Sequence, residues 1–275
     1  MPHATNTMTS PFDLSGRTAI ITGSSTGNGR AIAISLAEAG ADIIGVDLHP
    51  GQPKGFEEDA PHTHDLVAQK YGVKSLFVQG DVTKEATWEE VKNKTLELTG
   101  RIDILVSNAG ILGKVGPVHE ATLAQWQAVM NVNVNSVFLG VRAVIPTMLA
   151  QQARPGSVRG TIITIASNAA YHGAPEKAPY CASKGALIAM NRALAVDYGR
   201  QGIKCVTVSP GIIATALNAE ELADPMKCQN YRSQTPWPRF GRVDEVGSAC
   251  LFLASDASDY CNGTDLGMDA GYVQA

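Results

Sequence analysis

Three polar side chains in the second half of this 275-residue chain have the types and spacing needed to move a proton to or from a carbonyl oxygen. They are Ser167, Tyr180 and Lys184. Tyr180 and Lys184 have i,i+4 spacing, so on a helix the phenol and the ammonium lie on the same face. Opposite charges about 4 Å apart attract by roughly 4 kcal/mol at an effective dielectric constant of about 20. Such an attraction would lower the pKa of a tyrosine from about 10 to about 7. We therefore predict that Tyr180 is a general acid/base and that Lys184 lowers its pKa.

Tyr-x3-Lys pairs also arise by chance on helices, with the tyrosine packed against a neighbour and the lysine in water. A second motif, near the N-terminus, weakens that explanation. A glycine-rich turn follows an apolar run and precedes a helical pattern, and such a turn lets the backbone approach a pyrophosphate at the positive end of a helix. The turn predicts a dinucleotide site that includes Gly23, Ser25, Thr26, Gly27, Asn28 and Gly29.

Asp47 follows Gly29 by 18 residues, near the spacing at which an acidic residue accepts hydrogen bonds from an adenosine ribose. Its charge would repel the 2′-phosphate of NADP(H), and residues 24–26 and 48–51 contain no Arg or Lys to offset that repulsion. The sequence therefore favours NAD(H), with Leu48 beside Asp47 as a further contact. The alternative is that Asp47 is only a turn residue after a strand.

Short apolar runs rich in Val and Ile recur along the chain, with longer helical patterns between them. The runs are 18–22, 42–47, 75–79, 102–106, 161–165 and 204–208. Strands without polar alternation, separated by helices, indicate a parallel sheet covered on both faces. We predict an α/β fold, a doubly wound parallel sheet of the Rossmann type with helices on both faces. One domain spans 1–275, with a flexible tail at 1–14 and a substrate lid at 216–240.

The composition argues against several classes of partner. The net charge is −4 and no long Lys/Arg cluster occurs, so we expect no nucleic acid to bind. No run reaches the 18 or so uninterrupted apolar residues of a spanning helix, so we expect a cytoplasmic protein with no membrane partner.

A metal site is conceivable among His49, His62 and His64, but a solvated loop is the preferred interpretation, and we predict no metal. The helical pattern at 184–198 is apolar on more than one face, which favours a homodimer or homotetramer.

The motifs Thr-Gly-x3-Gly-x-Gly, Asn108-Ala109-Gly110 and Tyr180-x3-Lys184, in this order, resemble the short-chain dehydrogenase/reductase family, and the match covers nearly the entire chain. The resemblance implies that Asp81 and Val82 contact adenine. It also implies that Pro210, Gly211, Ile213 and Thr215 belong to the segment that closes over the nicotinamide carboxamide. Asn133, aligned on Trp126, is expected to hold a water that links Lys184 to solvent. Asn28 departs from the family pattern, which usually has an aliphatic residue there.

The predicted function is NAD(H)-dependent interconversion of a secondary alcohol and a ketone by hydride transfer. Tyr180 would move the proton, Ser167 would orient the substrate oxygen, and Lys184 would also bind the nicotinamide ribose. The substrate is expected to be small, with cyclic compounds among the candidates, and to meet Asn168, Tyr171, His172, Leu217 and Trp237. Three alternatives are an NADP(H)-preferring ketoreductase, a non-catalytic NAD(H) sensor, and an epimerase or dehydratase.

Overall fold

A computed structural model of the protein describes residues 10–51, 60–154 and 158–274. Seven parallel strands form one sheet in the order β3-β2-β1-β4-β5-β6-β7. The strands are β1 (Thr18–Thr22), β2 (Asp42–Asp47), β3 (Ser75–Gln79), β4 (Ile104–Ser107), β5 (Gly160–Ile165), β6 (Ile203–Pro210) and β7 (Asp265–Met268). All residues of β1, β4, β5 and β6 are buried, as expected for strands covered on both faces. Sequence analysis misses β7, because a short, partly exposed edge strand has no continuous apolar run.

Helices cover both faces of the sheet, which confirms the doubly wound fold. They are α1 (Gly27–Glu38), α2 (Thr63–Tyr71), α3 (Glu85–Thr99), α4 (Leu123–Met130), α5 (Ser136–Ala150), α6 (Ala178–Tyr198), α7 (Ala219–Leu222), α8 (Pro225–Gln234) and α9 (Val243–Ala254). One apolar core lies between the sheet and helices α1, α2 and α9, and a second lies between the sheet and helices α3, α5 and α6.

A single π turn, Asn131–Asn135, joins α4 to α5. With it, residues 123–150 form a helical stretch that is long and apolar enough, by length and composition alone, to cross a membrane. The fold gives that apolar character another explanation. Helix α5 buries 7 of its 15 residues within the protein, so its apolar side belongs to the second core.

The flexible tail predicted at 1–14 extends too far, because its last residue belongs to the folded core. Leu14 is fully buried in the first core, and its N–H donates to the carbonyl oxygen of Ala39 at 2.8 Å. A leucine that fills space beside β1 and α1 cannot belong to a flexible tail. Residues 1–9 lie outside the described residues, as do residues 52–59 of the histidine-containing loop.

Candidate active site

A cavity of about 1080 Å³ opens at the carboxyl ends of the central strands. The strand order reverses between β1 and β4, and ligands of open α/β sheets bind in the crevice at such a reversal. The turns after β1, β3 and β4, the end of β2 and the loops after β5 and β6 supply its walls. Residues of α7 and α8 line its remaining side.

The glycine-rich turn between β1 and α1 forms one wall. Gly23 and Gly27 have φ angles of 64° and 49°, in the left-handed region that favours glycine. A Cβ atom on Gly23 would lie 2.8 Å from Nδ2 of Asn108, and one on Gly29 would overlap the carbonyl oxygen of Gly23. In the described chain the Thr26 side chain makes no capping hydrogen bond to α1. The N–H groups at the start of α1 therefore have no partner from the Thr26 side chain, and Gly27 and Asn28 lie on the cavity wall, as a phosphate site requires.

Two aspartates lie at the far end of the cavity, Asp47 as the last residue of β2 and Asp81 in the turn after β3. The Asp47 carboxylate accepts hydrogen bonds from the N–H groups of Ser25 at 3.0 Å and Leu48 at 2.8 Å, which fix its orientation. Asp81 accepts the N–H and the hydroxyl of Thr83 at 2.9 and 2.7 Å. Hydrogen bonding to the Thr83 backbone is the main reason that the pKa of Asp81 lies below its usual range. No Arg or Lys occurs among the described residues that line this end.

Ser167, Tyr180 and Lys184 converge at the cavity wall, and β5 and α6 bring them together. Ser167 lies just after β5, where its Oγ accepts the N–H of Ala169 at 3.1 Å and its hydroxyl hydrogen-bonds Tyr180. Tyr180 and Lys184 occupy the first two turns of α6. The Lys184 ammonium donates to the carbonyl oxygen of Ile165 at 2.8 Å and lies 5.6 Å from the centre of the Tyr180 ring.

Burial dominates the titration of both groups on α6. It raises the pKa of Tyr180, against the lowering effect of the hydrogen bond with Ser167, and it lowers the pKa of Lys184 to about 8. The Lys184 ammonium lies over the Tyr180 ring and is hydrogen-bonded to Ile165. In the protein by itself the cost of burying a charge therefore prevails, and the pKa of Tyr180 is raised. That Lys184 lowers this pKa when a cofactor is bound stays a prediction.

Asn133 lies in the π turn between α4 and α5 and is almost fully buried. Its Oδ1 accepts the N–H of Ile111 at 2.8 Å, while its Nδ2 donates to the carbonyl oxygen of Ile111 and to Oγ of Ser183, both at 3.0 Å. These bonds fasten the loop after β4 to the helix that carries Lys184. Asn133 is not among the residues that line the cavity, and a proton relay through it stays a prediction.

The segment after β6 reaches across the cavity to the glycine-rich turn. A Cβ atom on Gly27 would lie 3.3 Å from Cγ2 of Thr215. Asn218 holds the segment in place: its Nδ2 donates to the carbonyl oxygen of Ile213 at 2.8 Å, and its Oδ1 accepts the N–H of Thr215 at 3.1 Å. Pro210 and Gly211, at the end of β6, also line the cavity.

Most of the predicted binding residues line the cavity. Besides those already placed on its walls, they are Asn28, Leu48, Val82, Asn108, Ala109, Gly110, Asn168, His172 and Leu217. Gly29 does not line it, but lies beneath the turn, where a Cβ would clash.

Three predicted binding residues point elsewhere. Ser25 is buried and donates its hydroxyl to the carbonyl oxygen of His49 at 2.5 Å. Tyr171 donates its hydroxyl to Asp265 on β7 at 2.9 Å, and burial and this bond raise the pKa of Tyr171 to about 12. Trp237 is exposed, with the Arg239 guanidinium 4.6 Å from its ring. These three residues do not line the cavity, because composition does not reveal which side chains of a loop face inward. Their contacts with ligands stay predictions.

Sequence analysis predicts His172 at the substrate end of the cavity but misses the aromatic row to which it belongs. The rings of His172, Tyr272, Tyr231 and Phe240 follow one another with centroid separations of 5.0, 5.1 and 5.5 Å. Tyr272 donates its hydroxyl to Oε1 of Gln234 on α8 at 2.9 Å. The available signal was the position of Tyr272, directly after Asp269-Ala270-Gly271, a segment that resembles a C-terminal motif of the short-chain dehydrogenase/reductase family. That motif does not indicate that the C-terminal turn reaches the cavity.

The histidine-containing loop brings three possible metal ligands together. Ligand atoms of His62, His64 and Asp65 all lie within 4.8 Å of one another at the start of α2. His62 and Asp65 are exposed, and His64 is half-buried against Phe77. Nothing further around these side chains points to an ion, so the prediction of no metal stays a prediction.

The residues of the cavity fit a nicotinamide dinucleotide. A Cβ on Gly23 would meet Asn108 and one on Gly29 would meet the Gly23 carbonyl, so both positions require glycine, as the tight turn and close helix packing of a dinucleotide-binding turn do. Among the described residues, no group donates a hydrogen bond to the buried Oδ1 of Asn28. Asp47 is oriented at the end where a ribose hydroxyl would bind.

Known proteins resemble this chain over most of its length. The family model described as enoyl-(acyl carrier protein) reductase matches residues 23–273. The 2-(R)-hydroxypropyl-CoM dehydrogenase of Xanthobacter autotrophicus is 38% identical over 260 residues, which cover 94% of this chain and 98% of that protein.

Solved structures also resemble this chain over most of its length. A short-chain type dehydrogenase/reductase from Mycobacterium marinum superposes with a TM-score of 0.83 at 35% identity, covering 95% of this chain and 97% of that one. A gluconate 5-dehydrogenase from Burkholderia cenocepacia, in complex with NADP and tartrate, superposes with a TM-score of 0.84 at 34% identity. That superposition covers 96% of this chain and 98% of the other.

Proposed function

Because the chain belongs to the short-chain dehydrogenase/reductase family and is an oxidoreductase acting on a CH–OH group, we propose that it interconverts a small secondary alcohol and its ketone with NAD(H). The observation that carries the proposal is the convergence of Ser167, Tyr180 and Lys184 on the wall of a cavity that also contains a dinucleotide cradle. Proton transfer and hydride transfer can then take place at one carbon.

A bound nicotinamide dinucleotide supplies or accepts the hydride. When a ketone is reduced, the Tyr180 hydroxyl donates its proton to the substrate oxygen, and in the reverse direction the phenolate accepts it. Ser167 orients the same oxygen, since its hydroxyl already hydrogen-bonds Tyr180. Lys184 lies one turn after Tyr180 on α6, and its ammonium donates to the carbonyl oxygen of Ile165 on β5. From this position it stabilises the phenolate when the phenolate forms. The positive charge of an oxidised nicotinamide would favour the phenolate further.

The preference for NAD(H) rests on Asp47. Its carboxylate is oriented by two backbone N–H groups, and no described Arg or Lys lines that end of the cavity to neutralise a 2′-phosphate. The Burkholderia cenocepacia relative was solved with NADP, so its choice of cofactor gives no support to this preference. An NADP(H)-preferring ketoreductase remains the competing proposal.

Replacing Tyr180 with Phe tests the reaction. We expect Tyr180→Phe to lower turnover by about three orders of magnitude or more, in keeping with the loss of a general acid/base together with its hydrogen bond. NADH should bind with unchanged affinity. The measurement is the change in NADH absorbance with a panel of ketones and secondary alcohols, beside a titration of NADH binding. Substantial residual turnover by Tyr180→Phe would contradict the mechanism. Intact NADH binding by the unmodified protein with no turnover would favour a non-catalytic sensor.

A further inference from the structure

Asn28 occupies the place where the family usually has an aliphatic residue, and its polar side chain lies on the cavity wall. It is the second residue of α1. The residue before it, Gly27, packs against Thr215, with only 3.3 Å between a Cβ on Gly27 and Cγ2 of Thr215. Asn28 therefore belongs to the part of the cavity that the segment after β6 covers. Asp47 and Asp81 mark the opposite, adenosine end.

One atom of the Asn28 side-chain amide is buried without a partner. Among the described residues, no group donates a hydrogen bond to its Oδ1. Four buried side-chain oxygens of the described residues share this condition: those of Asn28, Ser75, Ser107 and Asn191. Of these four residues, Asn28 alone lines the cavity. Buried polar groups are almost always paired. We therefore expect a bound ligand to supply the hydrogen-bond partner of the Asn28 amide.

The chemistry of the amide restricts that partner. Asn28 offers one acceptor and two donors, and rotation about the terminal side-chain bond can turn either end toward the cavity. A pyrophosphate offers only acceptors, which would leave Oδ1 unpaired. A primary carboxamide offers both a donor and an acceptor, and the family resemblance implies that the nicotinamide would bring such a group to the segment that contains Thr215.

We infer that the amide of Asn28 pairs with the carboxamide of the nicotinamide and selects for that group. This inference rests on the proposed use of a nicotinamide dinucleotide, but not on any particular substrate or on turnover. An aliphatic residue at this position would contact the ring without distinguishing a carboxamide from a ketone of the same shape. Asn28 is thus a specificity-determining residue for the cofactor.

Three ligands separate the possible contacts. NADH carries the complete carboxamide. Reduced 3-acetylpyridine adenine dinucleotide keeps the carbonyl but replaces the amide nitrogen with a methyl group. ADP-ribose lacks the ring altogether. Dissociation constants are measured by calorimetry for the unmodified protein, for Asn28→Leu, which has nearly the same shape, and for Asn28→Ala as a second variant. Asn93→Leu, the same change at an exposed position of α3 away from the cavity, is the matched control.

We expect the unmodified protein to bind NADH more tightly than the acetylpyridine analogue. Asn28→Leu should weaken NADH by about 3- to 10-fold, the size of one neutral hydrogen bond, and should change the other two ligands by less than about 2-fold. Asn28→Ala should show the same selectivity, and Asn93→Leu should change none of the three. Equal weakening of all three ligands by Asn28→Leu, or no weakening of NADH, would overturn the inference. Tight, selective NADH binding without turnover would overturn the proposed function alone.

Discussion

The buried Lys184 lowers the free energy of unfolding by an amount that depends on pH. It is 5% exposed, and burial lowers its pKa from the ordinary 10.5 to about 8. Between these two values the unfolded chain binds more protons at this group than the folded protein does. The free energy of unfolding therefore rises with pH across that window. Below about pH 8 the lysine is charged in both states, and the whole cost of burying the charge is present.

Replacing Lys184 with Met removes this dependence. We expect the free energy of unfolding of Lys184→Met, minus that of the parent protein, to fall by about 2 kcal/mol between about pH 7 and about pH 10. Urea denaturation at a series of pH values measures it. Both proteins should carry Tyr180→Phe, because the Tyr180 phenol of the unfolded chain begins to ionise near the upper end of this range. A difference that does not vary with pH would contradict the assigned shift of the Lys184 pKa.

Asp47 decides the cofactor in our proposal. Removing its carboxylate deletes a charged acceptor for the ribose of NADH, which is worth about 1.5 to 3 kcal/mol, and removes the repulsion of a 2′-phosphate. We expect Asp47→Ala to raise the ratio of kcat/KM with NADPH to kcat/KM with NADH by about tenfold or more. Asp81→Ala is the control and should weaken both cofactors alike. An unchanged ratio in Asp47→Ala would remove the basis for the NAD(H) preference.

At the scale of elements, local signals were sufficient for much of the sheet. The bounds of β1, β2 and β3 agree with the predicted runs, because each run is short, rich in apolar residues and ends in polar or glycine residues. Site residues could be predicted from the sequence where they lie within a few positions of the end of such a strand. Gly23, Asp47 and Asn108 are set by a strand and the turn after it, so sequence spacing alone places them.

The remainder of the site depends on contacts between distant segments. Tyr272 reaches the cavity through a C-terminal turn, in which the Asp269 carboxylate accepts the N–H groups of Gly271 and Val273 at 3.0 and 2.9 Å. Its hydroxyl then meets Gln234 on α8. The inward face of residues 216–240 is set by such packing, which is why Leu217 lines the cavity and Trp237 does not. That these residues open and close as a lid stays a prediction.

At the scale of the whole molecule, α6 presents an apolar side to solvent. Pro179, Lys184 and Leu187 face inward, whereas Ala182, Ala189, Ala193 and Val196 face outward. Val196 is 81% exposed, and Phe138 of α5, which contributes to the same core as α6, is 50% exposed. Small outward residues let a second helix approach closely, and an exposed apolar face is stabilised when another surface excludes water from it. We propose that two copies of the chain meet through this face, as a dimer or as part of a tetramer.

Light scattering tests this assembly. We expect a native mass at least twice the 29.0 kDa of one chain. Ala189→Arg and Val196→Arg place a charge in the proposed contact, where burying it without a partner is unfavourable, so each should lower the mass to half or less. Val118→Arg is the matched control, because Val118 is 60% exposed but lies outside α5 and α6, and it should leave the mass unchanged. A monomer mass for the unmodified protein would overturn the proposal. The outward apolar side of α6 would then be a plain surface behind Tyr180 and Lys184, and the position of both side chains would depend on one subunit alone.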